Sequence, residues 1–225
     1  MYTDRNWAAG CATLGGMIWT IGHSTRTVEA LVALLRAHGI RRLADVRSFP
    51  RSRRHPQFNV DALPGSLAEA GIDYEHVPAL GGFRRPRPDS HNTAWRNPGF
   101  RGYADYMQTP AFAAAVDHLL EQAAVAPTAV MCAEAVPWRC HRWLLADALV
   151  ARGESVAHIL SAAAAEPHVL TPAARVDGAR VTYPGAPELF PSGAGVAPTP
   201  PARARRAAGR GRPAARSGSS RSRTR

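Results

Sequence analysis

At 225 residues, 45% of them hydrophobic, the chain is long enough to close one substantial core and too short for two average domains. Its formal net charge is +11, all 28 basic residues are arginine, and it holds only three cysteines. So few cysteines exclude a disulfide-stapled secreted scaffold, and no apolar run approaches the ~20 residues of a membrane-spanning helix. No apolar stretch before Cys11 could serve as a secretion signal, so the expected compartment is the reducing cytoplasm.

Residues 1–16 show no periodicity and read as a disordered leader, with Met17 as an alternative start of translation. The run Ile18-Trp19-Thr20-Ile21 reads as a buried first strand ending at Gly22-His23-Ser24. Thr27 can then cap a helix whose Val28, Leu31, Leu34, Leu35 and His38 follow the 3.6-residue period, with Gly39 as its stop. Leu43-Ala44-Asp45-Val46 is a second strand, residues 63–70 a short helix with Pro64 in its first turn, and residues 74–77 a third strand. Residues 78–108 form a Gly/Pro/Arg-rich connection without clear period, a length that points to function. Thr109-Pro110 opens a helix, residues 129–132 are the fourth strand, Pro137 starts another helix, and residues 156–160 are the fifth strand.

This alternation predicts a single α/β domain over residues 17–184, a mostly parallel sheet of about five strands flanked by helices. Residues 185–225 read as a disordered basic tail. Between 191 and 225 there are nine arginines and no acid, too little apolar surface to offset ordering entropy, and a charge suited to nucleic acid.

In an open α/β sheet, ligands bind beyond the carboxyl ends of the strands, so the residues there are the ones to weigh. The first strand delivers His23 and Ser24, the second Asp45 and Arg47, the fourth Cys132 and Glu134, followed by Arg139, Cys140, His141 and Arg142. With Pro137 as the first helical residue, Cys140 lies about one turn into a helix, where the dipole and flanking arginines favour a thiolate. Cys132, leaving an apolar strand, reads as the less reactive thiol, and taken alone as core. His141 could act as a base or ligand and Glu134 could transfer protons, whereas Asp45 could simply pair with an arginine. So many reactive groups together favour a functional site over packing.

Two familiar patterns fail. A phosphatase or sulfurtransferase loop needs five residues between Cys and Arg around a glycine-rich cradle, but six, none of them glycine, separate Cys132 from Arg139. A zinc or iron site could recruit Cys132, Cys140, His141 and His23, yet the tight paired spacing of a structural site is missing, and no metal or cofactor is assigned. The loops after the second and third strands add Arg47, Arg51, Arg53, Arg54 and His55, then Arg84, Arg85 and Arg87 with Trp95, Phe100 and Tyr103. Arginine forks bind phosphate and aromatics stack on bases, so the expected ligand is a phosphate-bearing small molecule or nucleic acid; the alternative is a merely solvated basic surface.

The motifs Thr20-Ile21-Gly22-His23-Ser24, Asp45-Val46-Arg47-Ser48-Phe49-Pro50, Leu80-Gly81-Gly82, Tyr103-Ala104-Asp105-Tyr106-Met107 and the 132–142 segment together resemble the domain-of-unknown-function family numbered 488, over roughly residues 18–184. The resemblance implies a compact bacterial α/β domain with His23, Asp45, Arg47, Cys132, Glu134, Cys140, His141 and Arg142 at motif positions, and it brings no activity with it. Three readings stay open. They are an enzyme acting on a phosphate-bearing substrate through these groups with Arg47, Arg53, Arg54, Arg84, Arg85, Arg142 and Ser24 as binding residues, a non-catalytic nucleic-acid-binding module, and a metal-dependent enzyme.

Overall fold

Alternating side chains on the central strands decide which helices cover which face of the sheet. The structure is a computed structural model that describes residues 16–185, so the expected leader up to residue 15 and the tail from residue 186 lie outside the described residues. Strands β1 (Met17–Gly22), β2 (Arg42–Asp45), β3 (Asp73–His76), β4 (Thr128–Cys132), β5 (Ser155–Ile159) and β6 (Glu166–Pro167) form one sheet in the order β3-β2-β4-β1-β5-β6. The first five run parallel, and only β6 is antiparallel to its neighbour β5.

Helices α1 (Val28–Ala37) and α2 (Leu63–Glu69) cover one face, where Leu31, Leu35, Leu63 and Leu67 meet Ile21, Leu43, Ala129 and Met131. Helices α3 (Pro98–Tyr106), α4 (Pro110–Val125) and α5 (Arg142–Val150) cover the other, where Tyr103, Phe112, Val116 and Leu144 meet Ile18, Ala44, Val130 and Cys132. Period two along β4 therefore directs Cys132 to the face carrying α3 and α5. Capping follows the sequence: the Thr27 side chain accepts from Ala30 N and that of Thr109 from Phe112 N. Gly39, at φ +66°, ends α1 in the left-handed region a side chain resists.

Three features depart from expectation. The 78–108 connection contains α3, capped by the Asn97 side chain with Pro98 in the first turn. Pro137 opens only a 3-10 turn, Pro137–Arg139; Cys140 is extended (φ −132°, ψ 151°) and α5 begins at Arg142. A hairpin of β7 (Arg175–Asp177) and β8 (Arg180–Thr182), turning at Gly178 with φ +55°, was not anticipated.

Candidate active site

At the carboxyl end of β4 a pocket of about 540 Å³ opens, floored by Cys132, Cys140 and His141. Its walls come from the loop after β2 (Arg47, Ser48, Phe49), the loop after β3 (Gly82, Phe83, Arg84, Arg85), the start of α3 (Asn97, Gly99, Phe100) and Glu134 with Arg139. Two close approaches build it. A Cβ on Gly82 would overlap the ring of His141, and one on Gly22 would overlap the carbonyl of Glu134, so both positions need glycine for space rather than for conformation.

Cys132 is 1% exposed and Cys140 5% exposed. The Cys140 and Cys132 sulfurs lie 2.7 Å apart, closer than two sulfurs in van der Waals contact, and His141 Nδ1 lies 3.4 Å from the Cys140 sulfur. Burial pushes the Cys140 thiol well up, and the bond to Cys132 adds to that. Burial works against ionising Cys132 too, but the Cys140 S–H and the charge of Arg142 outweigh it and bring that thiol below its ordinary value. Of the pair, Cys132 is thus the thiol whose ionisation is favoured, the reverse of the sequence expectation, because Cys140 is not in the first turn of a helix and is buried against its neighbour. Burial also lowers the pKa of His141 to about 4, with Arg142 and Arg84 contributing, so its imidazole is neutral at pH 7.

Arg142, 1% exposed, lies behind the thiols. Its Nη2 donates to the carbonyls of Glu134 (2.9 Å) and Ala135 (3.0 Å), while Nε and Nη1 have no partner among the described residues. No carboxylate among the described residues forms an ion pair with it. It is therefore an internal counter-charge rather than a residue of the pocket wall.

A second cluster sits beside this floor. Buried Asp45 accepts from Arg47 Nε (2.8 Å), Nη2 (2.6 Å) and backbone N, and from the Tyr74 hydroxyl (2.8 Å). Arg47 Nη2 also donates to the Phe58 carbonyl, and its Nη1 donates to His23 Nε2 at 3.1 Å. With its Nδ1–H given to the Ser24 carbonyl and its ring stacked 4.2 Å from Phe58, His23 is held neutral; burial, then Arg47, bring its pKa down to about 4. These bonds fully engage Asp45, so its role in the structure is to fix Arg47, which alone of this cluster reaches the pocket. Ser24, at φ +52°, joins the β4 loop through its backbone N to Ala133 O and does not line the pocket.

Of the other expected binding residues, Arg84 and Arg85 line the pocket whereas Arg53 and Arg54 are exposed away from it. Arg84 is partly committed: its guanidinium lies 3.7 Å above the Tyr106 ring and donates to the Ala79 carbonyl. Among the aromatics, Trp95 and Tyr103 pack into the core and Phe100 reaches the pocket. Sequence reasoning missed Phe49 and Phe83, 74% and 82% exposed and edge-to-face at 5.7 Å on the pocket wall; a phenylalanine beside proline or glycine in each arginine-rich loop was the available signal. It also missed a buried chain on α5 and β5. Thr20 Oγ–H donates to His158 Nδ1 (2.7 Å), His158 Nε2–H to His168 Nδ1 (3.0 Å), and His168 Nε2–H to Asp147 (2.8 Å). Among the described residues no group of three or more Cys, His, Asp or Glu is arranged to hold a metal ion, and no helix is long and apolar enough to cross a membrane.

Fold and side chains define an α/β domain with a buried dithiol beneath an arginine-flanked pocket at the carboxyl edge of a parallel sheet. A family model described as a domain of unknown function, DUF488, matches residues 27–149, and the chain belongs to that family. The match includes Asp45, Arg47 and the whole 132–142 segment, and stops short of His23 and β5. The chain matches no curated protein and no solved structure.

Proposed function

We propose that this protein is an enzyme acting on a phosphate-bearing substrate of the nucleotide or nucleic-acid class, with Cys132 as its nucleophile. One observation carries the reading: the Cys132 and Cys140 sulfurs meet, 2.7 Å apart, at the floor of a pocket lined by Arg84, Arg85 and Arg139. The thiolate, not the thiol, is the attacking species, and Cys140 with Arg142 favours it. Arginine forks suit phosphate oxygens and would hold an electrophilic centre over the sulfur. Glu134, exposed on the wall, is the group free to carry protons, and neutral His141 orients Cys140. Free thiols of this kind fit the cytoplasm of a bacterium.

The test is alkylation by iodoacetamide, followed by peptide mass spectrometry against pH in a Cys11→Ser background, with and without inorganic phosphate or each common nucleoside monophosphate. Cys132 is expected to react below the ~8.5 midpoint of a free cysteine and to be protected by a nucleotide, with Cys140 silent. An inert Cys132, or one indifferent to saturating anion, overturns the reading.

A non-catalytic nucleic-acid-binding module is the second reading. The exposed Phe49–Phe83 pair beside Arg85 favours it, because aromatic faces and cations together hold unpaired bases.

A further inference from the structure

Two thiols in mutual contact can do more than share a proton. Cys132 ends β4 and Cys140 ends the 3-10 turn, so the 133–139 loop brings together residues eight apart in sequence, with sulfurs 2.7 Å apart and both facing the pocket. The entrance carries Arg85 and Arg139, both exposed, and Arg142 behind the sulfurs leaves Nε and Nη1 without a partner among the described residues. We propose that Cys132 and Cys140 form a two-electron dithiol couple that exchanges with anionic low-molecular-weight disulfides entering past Arg85 and Arg139.

The inference rests on the reading of Cys132 as the attacking thiolate. Cys132 S⁻ attacks one sulfur of R–S–S–R, forming a Cys132–S–S–R bond as the R–S–S–R bond breaks and R–S⁻ leaves with the electron pair. Cys140 passes its proton to that leaving thiolate and its sulfur attacks the Cys132 sulfur. The Cys132–Cys140 bond forms, the bond to R breaks, and the second R–S⁻ departs to take a proton from water. The dithiol is oxidised by two electrons, and one disulfide is reduced to two thiols. Carboxylates on the disulfide would meet Arg85 and Arg139, while a cationic disulfide would be repelled.

The experiment uses the full chain carrying Cys11→Ser, incubated with oxidised glutathione and followed by intact mass and thiol counting. The expected result is loss of both thiols together with no persistent glutathione adduct, and reversal by reduced glutathione. Cys140→Ser should trap the adduct on Cys132, and Cys132→Ser should form none. Oxidised glutathione should react at least about tenfold faster than cystamine, a cationic disulfide, and Arg85→Gln with Arg139→Gln, both exposed changes, should erase that difference. Two thiols lost independently, a stable adduct on the unsubstituted pair, or no oxidation at all overturns the couple. Equal rates for the two disulfides in the parent chain overturn the anionic preference. If Cys132 alkylates readily and nucleotides protect it while no intramolecular disulfide forms, the couple fails and the enzymatic reading stands; an inert Cys132 removes both.

Discussion

Gly82 lies against His141 so closely that a side chain on it would occupy the space of the ring's Nδ1 and Cγ. The loop after β3 thereby presses His141 toward Cys140, whose sulfur is 3.4 Å from that Nδ1.

Gly82→Ala should therefore act on the thiols as well as on packing. Overfilling a tight contact costs about 1–3 kcal/mol, and each kcal/mol lowers the melting temperature by roughly 2–4 °C at this size. Calorimetry should record that loss and alkylation a changed rate at Cys132. An unchanged melting temperature would mean the loop is not seated on His141.

Acid should destabilise the domain in a defined window. Burial lowers the pKa of His23 and His141 to about 4 and that of His158 to about 3, from 6.5 in the unfolded chain. Between those limits the unfolded chain binds protons the folded one refuses. The stability these imidazoles contribute is thus complete above pH 6.5 and drains as pH falls toward 4, by up to ~1.4 kcal/mol per pH unit for each histidine. Urea midpoints from pH 7.5 to 4.5 should show this fall, and His141→Gln should make it shallower.

Much of this was legible beforehand. The apolar periods of β1, α1 and β4 and the caps Thr27 and Thr109 showed the alternation of strands and helices, and the strand-end rule singled out Cys132, Cys140 and His141. Helix α3 hid because Gly99 and Gly102 weaken its pattern, Gly102 being small where the carbonyl of Arg84 crosses. The sign of the Cys140 shift was unreadable because it depends on whether residues 137–141 turn as α or 3-10, and on which thiol donates. Asp147, His158 and His168 look like ordinary helix and strand residues until three distant segments converge on them.

Asp147 carries a purely structural load. Its two oxygens accept from His168, from the backbone and hydroxyl of Thr171, and from the Tyr183 hydroxyl, so an amide in its place would face donors with donors. Asp147→Asn should cost about 1–3 kcal/mol in chemical denaturation, the scale for leaving buried hydrogen-bond donors unsatisfied. Cys132 alkylation in the surviving folded fraction should stay unchanged; a large change would tie this chain to the pocket.

For nucleic acid, Phe49→Ala with Phe83→Ala should weaken single-stranded oligonucleotide binding by roughly 1–3 kcal/mol per stacked base without changing its salt dependence. Removing residues 191–225, with their nine arginines, should instead flatten the salt slope. Filter binding at several salt concentrations separates the two effects, and an unchanged affinity in the double variant removes the aromatic wall from the binding site.

Arg142 and Cys132 should prove energetically coupled. Arg142 is buried with no carboxylate partner among the described residues, and its charge helps bring the Cys132 thiol below its ordinary value. Arg142→Met should raise the pH at which Cys132 alkylates, and should cost roughly 1–3 kcal/mol because the carbonyls of Glu134 and Ala135 lose their donor. Cys132→Ala should also destabilise, by stranding the guanidinium without an anion. Once the methionine is present there is no cation to strand, so the alanine should cost less, and the double variant should be about 0.5–3 kcal/mol more stable than the sum of the single losses. Urea titrations of the four proteins at pH 8 measure that difference. If the losses simply add and the alkylation profile does not move in Arg142→Met, Arg142 is not the counter-charge of the thiolate.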